Sequence, residues 1–325
     1  MKTFKLGFGP MSREIVNAIG RYTEDYDYPL MIIASRNQVD ADSGYVMNTS
    51  DLSKQLEQYS RRNLWLCRDH CGPYFLDAEK DLSSVDAIEA TKKTIAADIE
   101  AGFDLIHIDT SRIGNGYSIA EDLIKFSLDM NPNIRFEFGT EENVGVAAGI
   151  QKYADDVKFA AQFPNMEFVV AQTGSLTTED RQAGSFDVDV VAKLVGFANE
   201  AGVKLKEHNA DYLTPEQIQL RRQVGVHALN IAPQLGVMQT RILRKAAQEA
   251  DANDAWNNFG TAVLASGKWK KWIDGGDDQK KIDIAGHYLY NSFEYRELIK
   301  QLDPMWRQSL TTQMHELFTT YAENL

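Results

Sequence analysis

Short apolar runs alternate along the chain with longer segments in which apolar residues recur every three or four positions. The first pattern is typical of buried strands and the second of amphipathic helices. The runs predict eight strands, at residues 5–9, 30–34, 64–67, 105–109, 134–138, 168–171, 203–205 and 228–231. The helices predicted after them cover residues 12–22, 51–61, 85–101, 118–129, 147–162, 187–201, 214–224 and 235–250. This repeat predicts an α/β fold in which residues 1–250 form a (βα)8 TIM barrel.

A doubly wound open sheet is the main competing fold. Its dinucleotide-binding form needs three glycines after the first strand, and the segment Gly7-Phe-Gly9-Pro-Met-Ser12 lacks the third. Beyond residue 250 the pattern becomes helical and rich in aromatic residues. Residues 251–325 are therefore expected to form a helical C-terminal extension, packed on the barrel or on another subunit.

Charge and composition limit the classes of partner. The net charge of −13 argues against nucleic acid or an anionic membrane as the main partner. No apolar stretch is long enough to span a membrane. With only two cysteines and no signal sequence at the N-terminus, a cytoplasmic location is expected.

Polar residues follow the predicted strands, and the carboxyl ends of barrel strands are where such folds place their chemistry. Asp69-His70 and the distant His208 combine an acid with metal-type ligands, which suits metal-assisted acid–base work on a carbonyl. His107 lies inside the fourth strand and is expected to be a satisfied core or interlayer histidine. A zinc site of Cys67, His70 and Cys71 is an alternative, although the second half of a structural zinc motif is missing.

Several segments, in order along the barrel, resemble the large subunit of class II D-tagatose-1,6-bisphosphate aldolase. They are Arg36-Asn-Gln-Val-Asp40, Ser43-Gly-Tyr45, Asp69-His-Cys-Gly-Pro73, Ala101-Gly-Phe-Asp-Leu-Ile-His-Ile-Asp109, Phe138-Gly-Thr-Glu141 and Glu207-His-Asn-Ala-Asp-Tyr212. This family, described as an accessory or non-catalytic subunit, includes related 4-epimerases of ketose phosphates or keturonates. Class II fructose-bisphosphate aldolases resemble the chain more distantly.

The resemblance implies roles for individual residues. Asp69 would be the proton donor, His70 and His208 would bind zinc, and Asn230 would contact substrate. Two features depart from the catalytic aldolases: Gln172 stands where they have a third histidine, and Asn209-Ala-Asp211 replaces their glycine- and serine-rich phosphate loop. Glu141 is therefore expected to complete the metal site.

The main expectation is a metal-dependent aldolase or retro-aldol 4-epimerase that acts on a ketose phosphate or a related sugar acid. Zinc is the expected cofactor, with manganese or nickel as alternatives. Proton transfer is assigned to Asp69 and Glu142, metal binding to His70, His208, Glu141 and Gln172, and substrate binding to Arg36, Asn37, Gln38, Asp109, Asn209, Asp211 and Asn230. Arg36 would neutralise a phosphate or carboxylate.

Two other functions remain open. The chain could be a non-catalytic barrel that stabilises a partner aldolase subunit, or a regulatory sugar-binding protein. Assembly as a homo-oligomer is also possible.

Overall fold

Eight parallel strands close into a barrel in the order in which they occur along the chain. The computed structural model describes residues 3–140, 145–147 and 149–325. The barrel strands are β1 (Leu6–Phe8), β2 (Leu30–Ser35), β3 (Leu64–Cys71), β4 (Leu105–Asp109), β5 (Arg135–Gly139), β6 (Met166–Val170), β7 (Lys204–Glu207) and β8 (Ala228–Ile231). Leu6 pairs with Leu30 of β2 on one side and with Leu229 of β8 on the other, which closes the barrel. The predicted (βα)8 fold is confirmed.

Eight helices follow the eight strands, and four more lie in the C-terminal region. They are α1 (Arg13–Asp25), α2 (Thr49–Leu56), α3 (Ser84–Glu100), α4 (Gly116–Met130), α5 (Ile150–Ala160), α6 (Val188–Ala201), α7 (Pro215–Val224), α8 (Pro233–Glu249), α9 (Asn253–Ser266), α10 (Asp278–Ala285), α11 (Phe293–Gln301) and α12 (Trp306–Asn324). Local signals fix several ends: Thr214 and Gln217 form a capping box at the start of α7. Within the described residues, no helix has both the length and the apolar character needed to cross a bilayer.

Strand β3 is longer than the sequence pattern predicts, which corrects the expected end at Cys67. Arg68 pairs with Ile106 and Cys71 with Ile108, so β3 carries one extra residue opposite β4. This β-bulge changes which face the side chains take. His70 adopts a left-handed backbone conformation with φ of 47°. As a result, both Asp69 and His70 reach the cavity above the barrel, which regular alternation would not allow.

The barrel interior has two layers of different character. At its base lies an apolar cluster of Phe4, Met31, Ile33, Cys67, Leu105, Phe168 and Ala228. Along β4, β5 and β7 the next inward positions carry His107, Glu137 and Lys206, all almost fully buried. Alternation along a strand puts them on the same face as Leu105, Gly139 and His208, respectively. The polar layer thus lies between the apolar base and the strand ends.

The C-terminal helix α12 completes the outer layer of the barrel. It packs against α1, α7 and α8. Phe318 of α12 contacts Phe8 of β1, with 4.2 Å between ring centroids. The Tyr321 hydroxyl donates a hydrogen bond of 2.6 Å to the carbonyl of Ala210, beyond β7. The extension is therefore built onto the barrel through its last helix.

One fully buried ion pair joins β3 to the helix behind it. Arg68 makes two hydrogen bonds of 2.6 Å to the Asp98 carboxylate on α3, and both side chains are completely buried. Arg68 also donates to the carbonyl of Ala34 at 2.8 Å. Arg68 thereby fixes the strand that carries Asp69 and His70.

We predict that Asp98→Asn lowers the free energy of unfolding by about 3–5 kcal/mol, because it leaves a buried guanidinium without its counter-charge. Equilibrium urea denaturation followed by circular dichroism measures the change. The matched control is Asp42→Asn, which removes an exposed pair with Lys93 and should change the stability far less, because solvent screens these charges. Equal effects of the two substitutions would contradict the role given to Arg68.

Candidate metal centre and cavity

A cavity of about 790 Å³ lies at the carboxyl ends of the barrel strands. This is within the range of about 300–1,000 Å³ typical of small-molecule sites. Strand ends from around the barrel line it, together with residues 267, 268, 271, 272, 287 and 288 of the C-terminal extension. The barrel and the extension therefore both contribute to its wall.

Asp69, His70, His107 and His208 come together in this cavity. Each offers one potential metal-ligating atom, and the four atoms lie within 4.8 Å of one another. The ring centroids of the three histidines are 5.2 Å apart in every pair. The residues come from β3, from β4 and from the end of β7, so only the closed barrel brings them together.

Two further carboxylates orient the histidines. Nδ1 of His70 lies 2.6 Å from Oδ2 of Asp109, and Nε2 of His208 lies 2.6 Å from Oε1 of Glu137. Each contact occupies one ring nitrogen and leaves the other for the cavity. Carboxylates in this position fix the ring orientation of metal-ligating histidines. Nδ1 of His107 accepts a longer hydrogen bond of 3.2 Å from the backbone N–H of His70.

Burial and the neighbouring charges shift the pKa values of the centre in different directions. Burial alone would lower the pKa of His70, but the carboxylates of Asp69 and Asp109 raise it to about 9. Burial would raise the pKa of Asp69, yet the neighbouring histidines hold it well below its usual range. For His208, burial outweighs the Glu137 carboxylate, so its pKa is lowered.

The residues present fit a divalent metal. Four ligands at about 2.1 Å in tetrahedral geometry would be roughly 3.4 Å apart. Oδ1 of Asp69 lies 3.5 Å from Nδ1 of His107 and 3.9 Å from Nδ1 of His208. Among the described residues, Oδ1 of Asp69 and Nε2 of His107 are buried and have no hydrogen-bond partner. Buried polar atoms normally find partners, so each of these two atoms marks a position where a ligand atom is expected.

Other residues predicted for the site line the same cavity. They are Arg36, Asn37, Gln38, Asp109, Gln172 and Asn209. Gln38 is already engaged, since it accepts a hydrogen bond from the backbone of Ser35 and contacts the sulfur of Met11. Asn37 donates a hydrogen bond to the carbonyl of Phe75 and accepts one from the N–H of Asp77, and so holds the loop after β3.

Arg36 forms a buried structural ion pair. Its guanidinium lies 2.6 Å from Glu79, and its other donors bond to the Gly72 carbonyl and to the hydroxyls of Thr91 and Thr94. Its side chain is only 1% exposed. Arg36 is thus engaged on all sides, and its charge is compensated by Glu79 and is not available to a substrate anion.

Asp211 and Asn230 lie outside the cavity wall. Asp211 accepts hydrogen bonds from the backbone of Ala232 and Gln234, which caps the start of α8, and burial raises its pKa to about 6. Asn230 is buried against Gly7, where a Cβ would lie 2.5 Å from its Oδ1. Its two polar side-chain atoms have no hydrogen-bond partner among the described residues.

Glu141 and Glu142 lie outside the described residues. Their proposed roles as metal ligand and proton-transfer group therefore rest on the sequence alone. The cysteine alternative finds no support: Cys67 packs in the apolar base of the barrel and Cys71 in the outer core, and both are free and buried.

Sequence reasoning missed His107, Glu137 and Lys206. His107 is buried in the inner layer and hydrogen-bonded at Nδ1, as expected of a core or interlayer histidine, but its Nε2 has no partner among the described residues and it belongs to the metal-capable group. A signal was available, because residues two apart on a strand share a face. His107 precedes Asp109 by two positions, and Lys206 precedes His208 by two.

Solved structures share the fold over almost the whole chain. A probable tagatose 6 phosphate kinase from Sinorhizobium meliloti 1021 has a TM-score of 0.78 at 20% identity, covering 98% of this chain and 92% of that one. Fructose-bisphosphate aldolase from Campylobacter jejuni has a TM-score of 0.61 at 12% identity, covering 98% and 90%. The YdjI aldolase from Escherichia coli K12 has a TM-score of 0.52 at 13% identity, covering 91% of each chain. At these identities the likeness concerns the fold.

Comparison at the level of sequence gives a partial match. No curated protein matches the chain significantly. Residues 11–125 match the model of a family described as D-tagatose-1,6-bisphosphate aldolase subunit GatZ/KbaZ-like. The resemblance seen in the sequence motifs is thus confirmed over residues 11–125, which include Asp69, His70 and His107 and are similar to the GatZ/KbaZ-like subunits of D-tagatose-1,6-bisphosphate aldolase.

Proposed function

We propose that this protein is a metal-dependent carbohydrate lyase of the class II aldolase type, or a 4-epimerase that uses the same retro-aldol chemistry. The observation that carries the proposal is the grouping of Asp69, His70, His107 and His208 at the carboxyl end of the barrel. Family relationship to aldolase subunits over residues 11–125 supports it. Zinc is the proposed metal, since three imidazoles with an open position are typical of catalytic zinc.

His70, His107 and His208 would hold the metal. When bound, a divalent metal supplies Lewis acidity towards the carbonyl of a ketose. Asp109 and Glu137 keep the rings of His70 and His208 in position through contacts of 2.6 Å.

Asp69 is the proposed proton-transfer group. Its Oδ1 has no hydrogen-bond partner among the described residues and lies 3.5 Å from Nδ1 of His107 and 3.9 Å from Nδ1 of His208, while its Oδ2 lies 3.7 Å from Nε2 of His70. In the retro-aldol direction, a carboxylate here takes the proton from the substrate hydroxyl as that carbon becomes an aldehyde and the carbon–carbon bond breaks. In an epimerase the aldehyde rotates to present its opposite face and the carbon–carbon bond forms again. The same carboxyl group then returns the proton to the oxygen that becomes the hydroxyl.

A second function is favoured by one sequence feature. Gln172 lines the cavity where catalytic aldolases are expected to have a third histidine, and the matching family model describes a subunit. The chain could therefore stabilise a partner aldolase without catalysing the reaction itself. Incubating the pure chain and zinc with a panel of ketose phosphates and keturonates, followed by NMR, separates the two functions. Turnover by the lone chain supports an enzyme, and turnover only with a partner aldolase supports the accessory role.

We predict that His70→Ala and His208→Ala each abolish stoichiometric zinc binding and leave the fold intact, because both remove oriented imidazoles from the strand-end face. Elemental analysis after equilibration with zinc and gel filtration measures the metal, and circular dichroism reports the fold. His227→Ala is the matched control, since this histidine precedes β8 at the other end of the barrel and accepts a hydrogen bond from the backbone of Leu205. Full zinc content in either of the first two variants would disprove the ligand assignment.

We predict that Asp69→Asn retains zinc but loses turnover by roughly 10²–10⁴-fold, because an amide keeps the shape of the side chain and cannot exchange the proton. Zinc content and the rate on the best substrate of the panel are measured on the same sample. A loss of rate of less than about threefold, far smaller than the usual contribution of general acid–base catalysis, would exclude Asp69 from the mechanism. Loss of zinc would instead make Asp69 a ligand.

A further inference from the structure

Three cationic side chains line the wall of the cavity that the histidine centre also lines. Arg112 lies in the loop after β4, and Lys268 and Lys271 lie on the 3₁₀ turn Lys268–Lys271 of the C-terminal extension. The chain as a whole carries a net charge of −13. A cluster of one sign inside a concave surface focuses the local potential. This part of the wall is therefore a local positive site on an acidic protein.

The two lysines sit on a turn that the fold holds in place. Gly267 ends α9 in the left-handed conformation with φ of 66°, and the 3₁₀ turn begins directly after it. Nε1 of Trp269 donates to the Leu264 carbonyl at 3.1 Å. Nε1 of Trp272 donates to the Tyr288 hydroxyl, also at 3.1 Å. These contacts fix both ends of the turn, so the lysine positions are set by the extension.

The two lysines of this cluster differ in how far their charge is neutralised. Lys268 lies 3.3 Å from the carboxylate of Asp77, which also lines the cavity. Arg112 stacks over Phe75 at 4.3 Å and donates to the Tyr74 carbonyl. Lys271 forms no ion pair with any described residue, and its Nζ lies 4.9 Å from the ring centroid of Trp272. Burial lowers the pKa of Lys271, and the charges of Arg112 and Lys268 lower it further against the opposing effect of Asp77.

We propose that Arg112, Lys268 and Lys271 form a subsite for the anionic group of the sugar that occupies the cavity. The ligand class is a carbohydrate with a terminal oxyanion, either a phosphate ester or a carboxylate. This inference rests on the proposed function for the sugar itself, whose reactive end would lie at the histidine centre. It makes the extension part of the substrate site and assigns to it the task first expected of Arg36.

Lysine and arginine suit this task in different ways. Arginine presents a planar fork of donors, while each lysine acts as a compact point charge with three donors. Together they can surround an oxyanion from the side of the barrel and from the side of the extension. The Trp272 ring beside Lys271 contacts this cation at the cavity wall without adding a negative charge.

The test uses two small probes with the same carbon skeleton, glycerol 3-phosphate and glycerate, titrated into the full chain by calorimetry. Lys268→Met and Lys271→Met, singly and together, remove the charges but keep the aliphatic stems. Lys270→Met is the matched control, since Lys270 is exposed on the same turn and does not line the cavity. We expect the double variant to bind the preferred probe at least about tenfold more weakly, a loss of about 1.4 kcal/mol, and the control to be within twofold, or about 0.4 kcal/mol.

Each outcome decides a point. Tighter binding of glycerol 3-phosphate identifies a phosphate subsite, and tighter binding of glycerate a carboxylate subsite. Binding of either probe that is unchanged in the double variant, or binding of neither probe by the parent chain, would overturn the subsite.

Zinc content separates this inference from the proposed function. The double variant should contain as much zinc as the parent chain. If the parent binds no zinc but still binds the probe through the lysines, the subsite stands and the metal-dependent function fails. If the parent binds zinc but probe binding does not change when the lysines are replaced, the subsite fails and the metal-dependent function stands.

Discussion

The buried ion pair between Lys206 and Glu137 is the interaction on which the candidate site depends. The two side chains are 0% and 1% exposed, and Nζ of Lys206 lies 2.6 Å from the carboxylate of Glu137. Removing two charges from water is costly, and only close pairing with further hydrogen bonds compensates for it. The second oxygen of Glu137 forms such a hydrogen bond with Nε2 of His208. The orientation of His208 is therefore fixed from inside the barrel, below the loops that follow the strands.

The barrel and its extension each hold a different part of the candidate site in place. The barrel supplies a rigid centre of three histidines and one carboxylate, because each residue lies on a strand or directly after one. Helix α12 anchors the extension against β1 through Phe318 and Phe8. The extension in turn carries the lysine turn to the cavity wall. Chemistry and substrate recognition are thus assigned to two parts of the chain that are distant in sequence and meet at one cavity.

The strands, most helices and their order followed from the sequence, because apolar periodicity and capping residues such as Thr214 act locally. The site was predicted less completely. Asp69, His70 and His208 were recognisable from their positions near strand ends. Glu137 and Lys206 lie on different strands and come into contact only when the barrel closes. Arg36 was placed at a substrate anion because its partner Glu79, 43 positions away in sequence, cannot be inferred from spacing. The bulge that brings His70 to the cavity depends on the pairing of β3 with β4, which no single-strand pattern reveals.

The most direct test of the account is a crystal structure of the zinc-loaded protein, with anomalous data collected at the zinc absorption edge. The account predicts one strong anomalous peak at the carboxyl end of the barrel, with imidazole nitrogens of His70, His107 and His208 about 2.0–2.1 Å away. A well-ordered crystal in which the peak lies elsewhere, or in which these three rings remain uncoordinated at saturating zinc, would contradict the account.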